Sequence, residues 1–336
     1  MKKALAPVIV AGFIAATSSA AQATGFTKVQ IPDTGSKQLD VGIWYPSNQQ
    51  PPIEPNTEFG LALALDAPLS KSNGGFIVLS HGYSGWYAGH ADTAAALADA
   101  GFIVAAPSHA GNTWSDMSST PEKWILDRPR HISRVIDYVL ADEIFSPQIS
   151  EEKIGVYGFS AGGYTAVGLI GGIPDLNQAA THCENHPQEY VCAEGLIDAM
   201  LAAEMNTLPS SAWGADPRVT VASISAPGFA FAYTEASLKA VGADVQLWSG
   251  QLDKQVPTET NAGLLAQRLP IAPETHWVDD ANHFAFLVVP CRDEFKESDP
   301  TEYDIVCGDK EGFDRHTFHG EMHVEMVRFF KSGFGI

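Results

Sequence analysis

The five residues Gly158-Phe159-Ser160-Ala161-Gly162 constrain this chain more than any others. They follow the apolar run Ile154-Gly155-Val156-Tyr157 and precede the stretch Tyr164-Thr165-Ala166-Val167-Gly168-Leu169-Ile170. A serine on a sharp turn between a buried strand and a helix leaves little room for side chains two positions to either side, where glycine stands. The bare pattern is weak, but its placement between strand and helix reads as a nucleophile elbow that lifts the Ser160 hydroxyl above a sheet edge.

The elements around it alternate. Leu39, Val41, Ile43 and Tyr45 against Asp40 and Gly42 predict an early strand with one buried face. Residues 76–80, 102–106, 154–157, 219–224 and 245–248 are near-continuous apolar runs, as expected of strands covered on both faces of a parallel sheet. The alanine-rich residues 91–100 predict a helix stopped by Gly101. Pro129 is expected in the first turn of a helix that presents Ile132, Val135, Ile136, Val139 and Leu140 on one face. This alternation predicts an α/β fold. With no linker or internal repeat, residues 24–336 read as one domain with insertions. Two segments break the rhythm and lack the look of core. Residues 174–217 stand where a lid could be inserted over the site, and the acidic residues 291–314 follow a candidate catalytic histidine.

Lys2 and Lys3, the apolar residues 4–16 and Ala21-Gln22-Ala23 predict a signal peptide over residues 1–23 and hence a periplasmic or secreted protein. The apolar stretch is shorter than the roughly 20 residues that span a bilayer, and no later segment suits stable membrane insertion. The first cysteine is Cys183, so the cleavage region has no cysteine for a lipid anchor. Four cysteines allow three pairings, and close spacing favours Cys183 with Cys192 and Cys291 with Cys307. The formal charge is -20, and loss of Lys2 and Lys3 takes it to -22. Such a surface repels nucleic acid and anionic membranes.

An attacking serine needs a base, a carboxylate that orients the base, and donors for the developing oxyanion. The run Asp279-Asp280-Ala281-Asn282-His283-Phe284-Ala285-Phe286, after a short strand at residues 275–278, offers His283 as base. Asp253, in the polar turn after the strand ending at Ser249, is the first candidate for the acid, with Asp279 and Asp280 as alternatives. Upstream, Ser80-His81-Gly82-Tyr83-Ser84-Gly85 is a strand entering a glycine-bearing turn, so the backbone N–H groups of Tyr83 and Ala161 are expected to form the oxyanion hole. His81 is expected to shape that turn and His109 to order a loop near the pocket. Trp86, Tyr87, Phe159 and Phe284, with Trp213 in the lid, are candidate pocket residues for an apolar or aromatic acyl or alcohol group. His316, His319 and His323 share a helix face, but Gly320 weakens that helix, and Arg315, Phe318 and Met322 suggest a surface and packing role without metal.

These residues resemble bacterial α/β-hydrolases of the predicted dienelactone hydrolase group, similar to platelet-activating factor acetylhydrolase. Ser80 to Gly85, Pro107 with Gly111-Asn112-Thr113, Arg128-Pro129-Arg130, residues 158–163, Asp253, Asn282-His283 and Gly312-Phe313-Asp314-Arg315 carry the resemblance. It implies an α/β-hydrolase fold, with a mostly parallel central sheet flanked by helices and a disulfide-tied lid. It further implies a serine esterase without cofactor that uses Ser160, Asp253 and His283. Phe159 departs from it, standing where many relatives carry histidine, and Ser160 stands where true dienelactone hydrolases commonly carry cysteine. The expected substrate is a small-molecule, short-chain carboxylic ester. The alternatives are a short-acyl phospholipid, cleaved as by an acetylhydrolase, and a binding protein that keeps the fold without turnover.

Overall fold

The computed structural model describes residues 23–35, 37–288 and 291–336. The expected signal peptide lies outside them, save Ala23. Strands β1 (Ala23–Ile31), β2 (Leu39–Ser47), β3 (Ala64–Leu65), β4 (Gly74–Ser80), β5 (Ile103–Pro107), β6 (Ile149–Phe159), β7 (Val219–Ser225), β8 (Asp244–Gly250) and β9 (Glu274–Val278) form one sheet. Their order is β3-β1-β2-β5-β4-β6-β7-β8-β9. β2 runs antiparallel to β1 and β5, while β5-β4-β6-β7-β8-β9 are all parallel.

Period-two side-chain direction sorts the apolar runs into two cores. Phe76, Val78, Ile103, Val156 and Ile224 face helices α2 (Pro121–Ala141) and α3 (Ala161–Leu169). Ile77, Leu79, Val104, Tyr157 and Val221 face α1 (Ala91–Asp99) and the C-terminal helix Arg315–Phe334, which buries Met322, Met326 and Phe330. The parallel arrangement brings the C-terminal ends of β4, β6, β7 and β8 to one edge, where open α/β sheets place their sites. Among the described residues no helix is long and apolar enough to cross a membrane.

Three expectations need correction. Pro129 lies in the interior of α2, which begins two turns earlier at Pro121 and buries Trp124, Ile125 and Arg128 before it. The proline costs one helical hydrogen bond, and the buried face on either side outweighs it. Residues 174–217 are not coreless. They fold into short helices, including Leu176–Asn185, Tyr190–Ala193 and Leu196–Ala202, and Leu176, Met200, Met205 and Trp213 join the main core. The sheet also extends beyond β2 through β1 and β3, which the apolar pattern did not single out. Both expected disulfides are present, Cys183 with Cys192 and Cys291 with Cys307.

Candidate active site

Ser160 sits between β6 and α3 at φ 55° and ψ -118°, a conformation that costs a non-glycine residue strain. The flanking glycines permit it. A Cβ on Gly158 would stand 2.1 Å from the Gly162 carbonyl oxygen, and one on Gly162 would stand 1.8 Å from that of Ser80. Ser160 N–H donates to the Ser225 carbonyl at 3.0 Å and its carbonyl accepts from Gly228 N–H at 2.9 Å, which straps the elbow to the loop after β7. Ser84, Ala226 and Phe229, in the loops after β4 and β7, also have positive φ. Strained backbone therefore clusters around the serine.

β8 and β9 deliver the other two groups. His283 opens the 3-10 turn His283–Phe286 beyond β9. Gly250 lets this loop approach, since a Cβ there would stand 2.3 Å from the Ala281 carbonyl oxygen. Ser160 Oγ lies 3.1 Å from His283 Nε2, and His283 Nδ1 lies 2.7 Å from Asp253 Oδ2. The other carboxylate oxygen of Asp253 accepts from the backbone N–H of Gln255 at 2.9 Å and of Val256 at 2.7 Å. With Nδ1–H donating to Asp253, Nε2 is left to accept the serine proton. Phe159 and Phe284 hold the imidazole by ring contacts at 5.0 and 5.1 Å. Asp279 and Asp280 are both exposed, and Asp280 pairs with Lys310 at 2.5 Å. Asp253, not Asp279 or Asp280, is the carboxylate within hydrogen-bond distance of His283 among the described residues.

Neither Tyr83 N–H nor Ala161 N–H has an acceptor among the described residues. Behind the Tyr83 turn, His81 Nε2 accepts from His109 N–H at 3.0 Å, and His109 Nε2 lies 2.9 Å from Ser80 Oγ. Burial and the Arg128 charge hold both imidazoles well below their ordinary range, so they are neutral.

Sequence reasoning missed Arg128 as a site residue. Its side chain is wholly buried, and it donates to the His81 carbonyl, to Asn112 Oδ1 at 2.6 Å, to Thr165 Oγ1 at 3.3 Å and to the Gly82 carbonyl at 3.5 Å. Burial lowers its guanidinium to about 9, still charged at neutral pH. An i, i+3 apolar pattern cannot reveal a cation that faces inward to meet carbonyls.

Ser160 and His283 open into a cavity of about 1370 Å³. The Tyr83 turn, Trp86, Phe159 and Phe284 line it, as do Tyr190, Leu196 and Met200 of the inserted helices and both cysteines of the 291–307 bridge. Arg315 ties that bridge down through a two-pronged contact with Asp309 at 2.7 and 3.0 Å and donation to the Val306 carbonyl at 2.8 Å. Tyr87 is a correction. It is not a lining residue, because its ring turns into a cluster with Phe26, Trp44 and Phe59 while Trp86 takes the wall. Trp213 likewise lies in the core and not at the cavity.

No family model matches the chain, and no curated protein matches it. Among solved structures it is similar to a ferulic acid esterase from Streptomyces cinnamoneus, with a TM-score of 0.61 and 17% identity over 95% of this chain and 92% of that one. At that identity the likeness concerns the fold. The chain has the α/β-hydrolase fold, with a mostly parallel sheet flanked by helices and disulfide-tied insertions.

Proposed function

We propose that this protein is a serine hydrolase of carboxylic esters, with Ser160 as nucleophile, His283 as base and Asp253 as the carboxylate that orients it. The observation that carries the reading is the Ser160–His283–Asp253 hydrogen-bond chain, at 3.1 and 2.7 Å, beside two unpaired backbone donors. Ser160 Oγ attacks the ester carbonyl as its proton passes to His283 Nε2. The oxyanion forms against Tyr83 N–H and Ala161 N–H. His283 then returns the proton to the leaving alcohol, and water repeats the sequence to release the acid.

Substrates are small or medium esters with an apolar group on the acyl or alcohol side. The cavity volume and its wall of Tyr83, Trp86, Phe159 and Phe284 support this. The neighbour's name specifies a ferulic, and so aromatic, acyl group, which such rings would also stack against. Residues 1–23 act in this reading as a signal peptide, and residues 174–217 supply the lid.

Hydrolysis of p-nitrophenyl esters from acetate to decanoate, of a feruloyl ester and of a short-acyl phospholipid tests the proposal beside Ser160→Ala. The variant should lose at least about 10⁴-fold in kcat. Undiminished turnover by Ser160→Ala would refute the assignment. Absence of both turnover and fluorophosphonate labelling would favour the binding-protein reading.

A further inference from the structure

Beside the cavity, the C-terminal helix carries His319 and His323 one turn apart, and the first turn of α1 carries Asp92. Spacing along the sequence could not join these groups, which lie 227 residues apart. Asp92 Oδ2 lies 2.6 Å from His319 Nδ1 and 3.4 Å from His323 Nε2. One donor atom from each of the three residues falls within 4.8 Å of the others. Thr93 Oγ1 stands 3.0 Å from the same His323 nitrogen.

His319 is the informative member. Its Nε2 lies 2.9 Å from the Ala285 carbonyl, so that nitrogen carries a proton. Its Nδ1 faces the Asp92 carboxylate. A neutral imidazole has one N–H, yet this one meets two acceptors. Either a second proton or a cation between Nδ1 and the carboxylate resolves the conflict. An imidazole oriented through its far N–H by a carbonyl is how metal-bound histidines are held. Close by, His90 is 3% exposed, and neither of its ring nitrogens has a hydrogen-bond partner among the described residues.

We infer that Asp92, His319 and His323 form a binding site for one divalent transition-metal ion of the zinc class. Imidazole and carboxylate ligands suit such an ion, and contacts of about 2.0 to 2.1 Å in a tetrahedron put donor atoms about 3.3 Å apart. The Asp92–His323 separation already matches. The Asp92–His319 pair must open by less than about 1 Å. His90 and Asp92 both line the large cavity, which gives an ion its way in. The bound ion ties α1 to the C-terminal helix and, through His319 and Ala285, to the turn that begins at His283. A second cluster, His182, His186 and Glu189, contrasts with this one. His182 meets one acceptor, Glu189 at 3.1 Å, and Glu189 also accepts from Asn261 at 3.3 Å, so no acceptor is left in excess.

The test uses untagged protein, stripped with chelator and dialysed, then titrated with Zn²⁺ alone by calorimetry and with Co²⁺ by visible absorption. One ion per chain and a histidine-type Co²⁺ spectrum are expected. Asp92→Asn and His323→Gln should each weaken binding by more than the roughly 10–100-fold that loss of an outer-shell partner costs. His186→Gln should leave it unchanged. Circular dichroism before titration separates lost binding from lost fold, and His323→Gln, at a partly exposed position, keeps the test usable if Asp92→Asn misfolds. No uptake of either ion by the native protein overturns the inference and leaves a buried imidazolium–carboxylate pair. Binding abolished by His186→Gln but retained in His323→Gln overturns it in favour of the other cluster. Both readouts are independent of ester hydrolysis.

Discussion

Arg128 brings a charge into the interior, and among the described residues no carboxylate meets it. It turns instead on the carbonyls of His81 and Gly82. The Gly82 carbonyl and Tyr83 N–H belong to one peptide group, so a cation on the oxygen polarises the N–H that faces the cavity. In the mechanism proposed above, Arg128 is therefore a positioning residue for the oxyanion donor of Tyr83, acting through the turn without touching substrate. Losing an oxyanion donor lowers kcat by about 10² to 10³. Arg128→Lys keeps the charge but not the planar fork, and a kcat loss of about tenfold with KM little changed is expected. Arg128→Met removes the donor to the buried His81 carbonyl, while the Gly82 carbonyl keeps the His81 Nδ1–H at 2.7 Å, and should lose about a hundredfold. Steady-state kinetics beside thermal melts decide the point: a lowered Tm with unchanged kcat would make the residue purely structural.

At the scale of elements, the join of β6 to α3 depends on backbone contacts that no side chain can enter. A Cβ at Gly162 meets the Ser80 and His81 carbonyl oxygens at 1.8 and 2.9 Å, which neither strand can yield. Gly162→Ala should destabilise by about 4 kcal/mol or more, or prevent folding. Gly320 lies inside the C-terminal helix with nothing within 4 Å of its would-be Cβ. Gly320→Ala should stabilise by about 0.5 to 1 kcal/mol. Urea melts of both variants check the opposite signs, and equal effects would defeat the steric argument. The same join explains what the sequence could reveal. Glycines two residues from a serine, an apolar run before it and a small-residue helix after it are local signals, so the elbow and the central strands were legible. The proposed order Ser160, Asp253, His283 could be read from the sequence too, since each residue follows its own strand. The sequence left Asp279 and Asp280 beside Asp253 as candidates for the acid, and only geometry separates the carboxylate that meets His283 from the two exposed ones. The start of α2 was hidden by Pro129, which looks like a helix beginning until the buried Trp124 and Ile125 are seen before it. Tyr87 and Trp86 are neighbours of like chemistry, and only the packing of Phe26, Trp44 and Phe59 sends one inward.

Two whole-molecule effects oppose each other in acid. The chain has 40 acidic and 20 basic residues, so protonating carboxylates relieves self-repulsion as pH falls. Against this stands the buried trio of His81, His109 and His131, whose imidazoles are packed behind the Tyr83 turn. Burial first, then the Arg130 charge, takes His131 down to about 4, despite the opposing influence of Asp127 and Asp33. In the unfolded chain the same imidazole titrates near 6.5. Below that value the unfolded state binds a proton that the folded state refuses, so stability falls with pH between about 6.5 and 4 and is level above the window. For His131 alone the loss reaches about 3 kcal/mol by pH 4. Repulsion between surface charges is screened over about 8 Å at physiological salt and over less at 0.5 M, whereas the buried trio is screened little. Urea melts at 0.5 M salt should therefore show stability level from pH 8 to 7 and falling toward pH 4. His131→Gln, which cannot titrate, should flatten part of that slope even if it lowers stability at pH 8. A slope unchanged in the variant would mean that other groups take up the protons, and stability that rises on acidification even in high salt would mean that relief of the acidic surface outweighs the buried histidines.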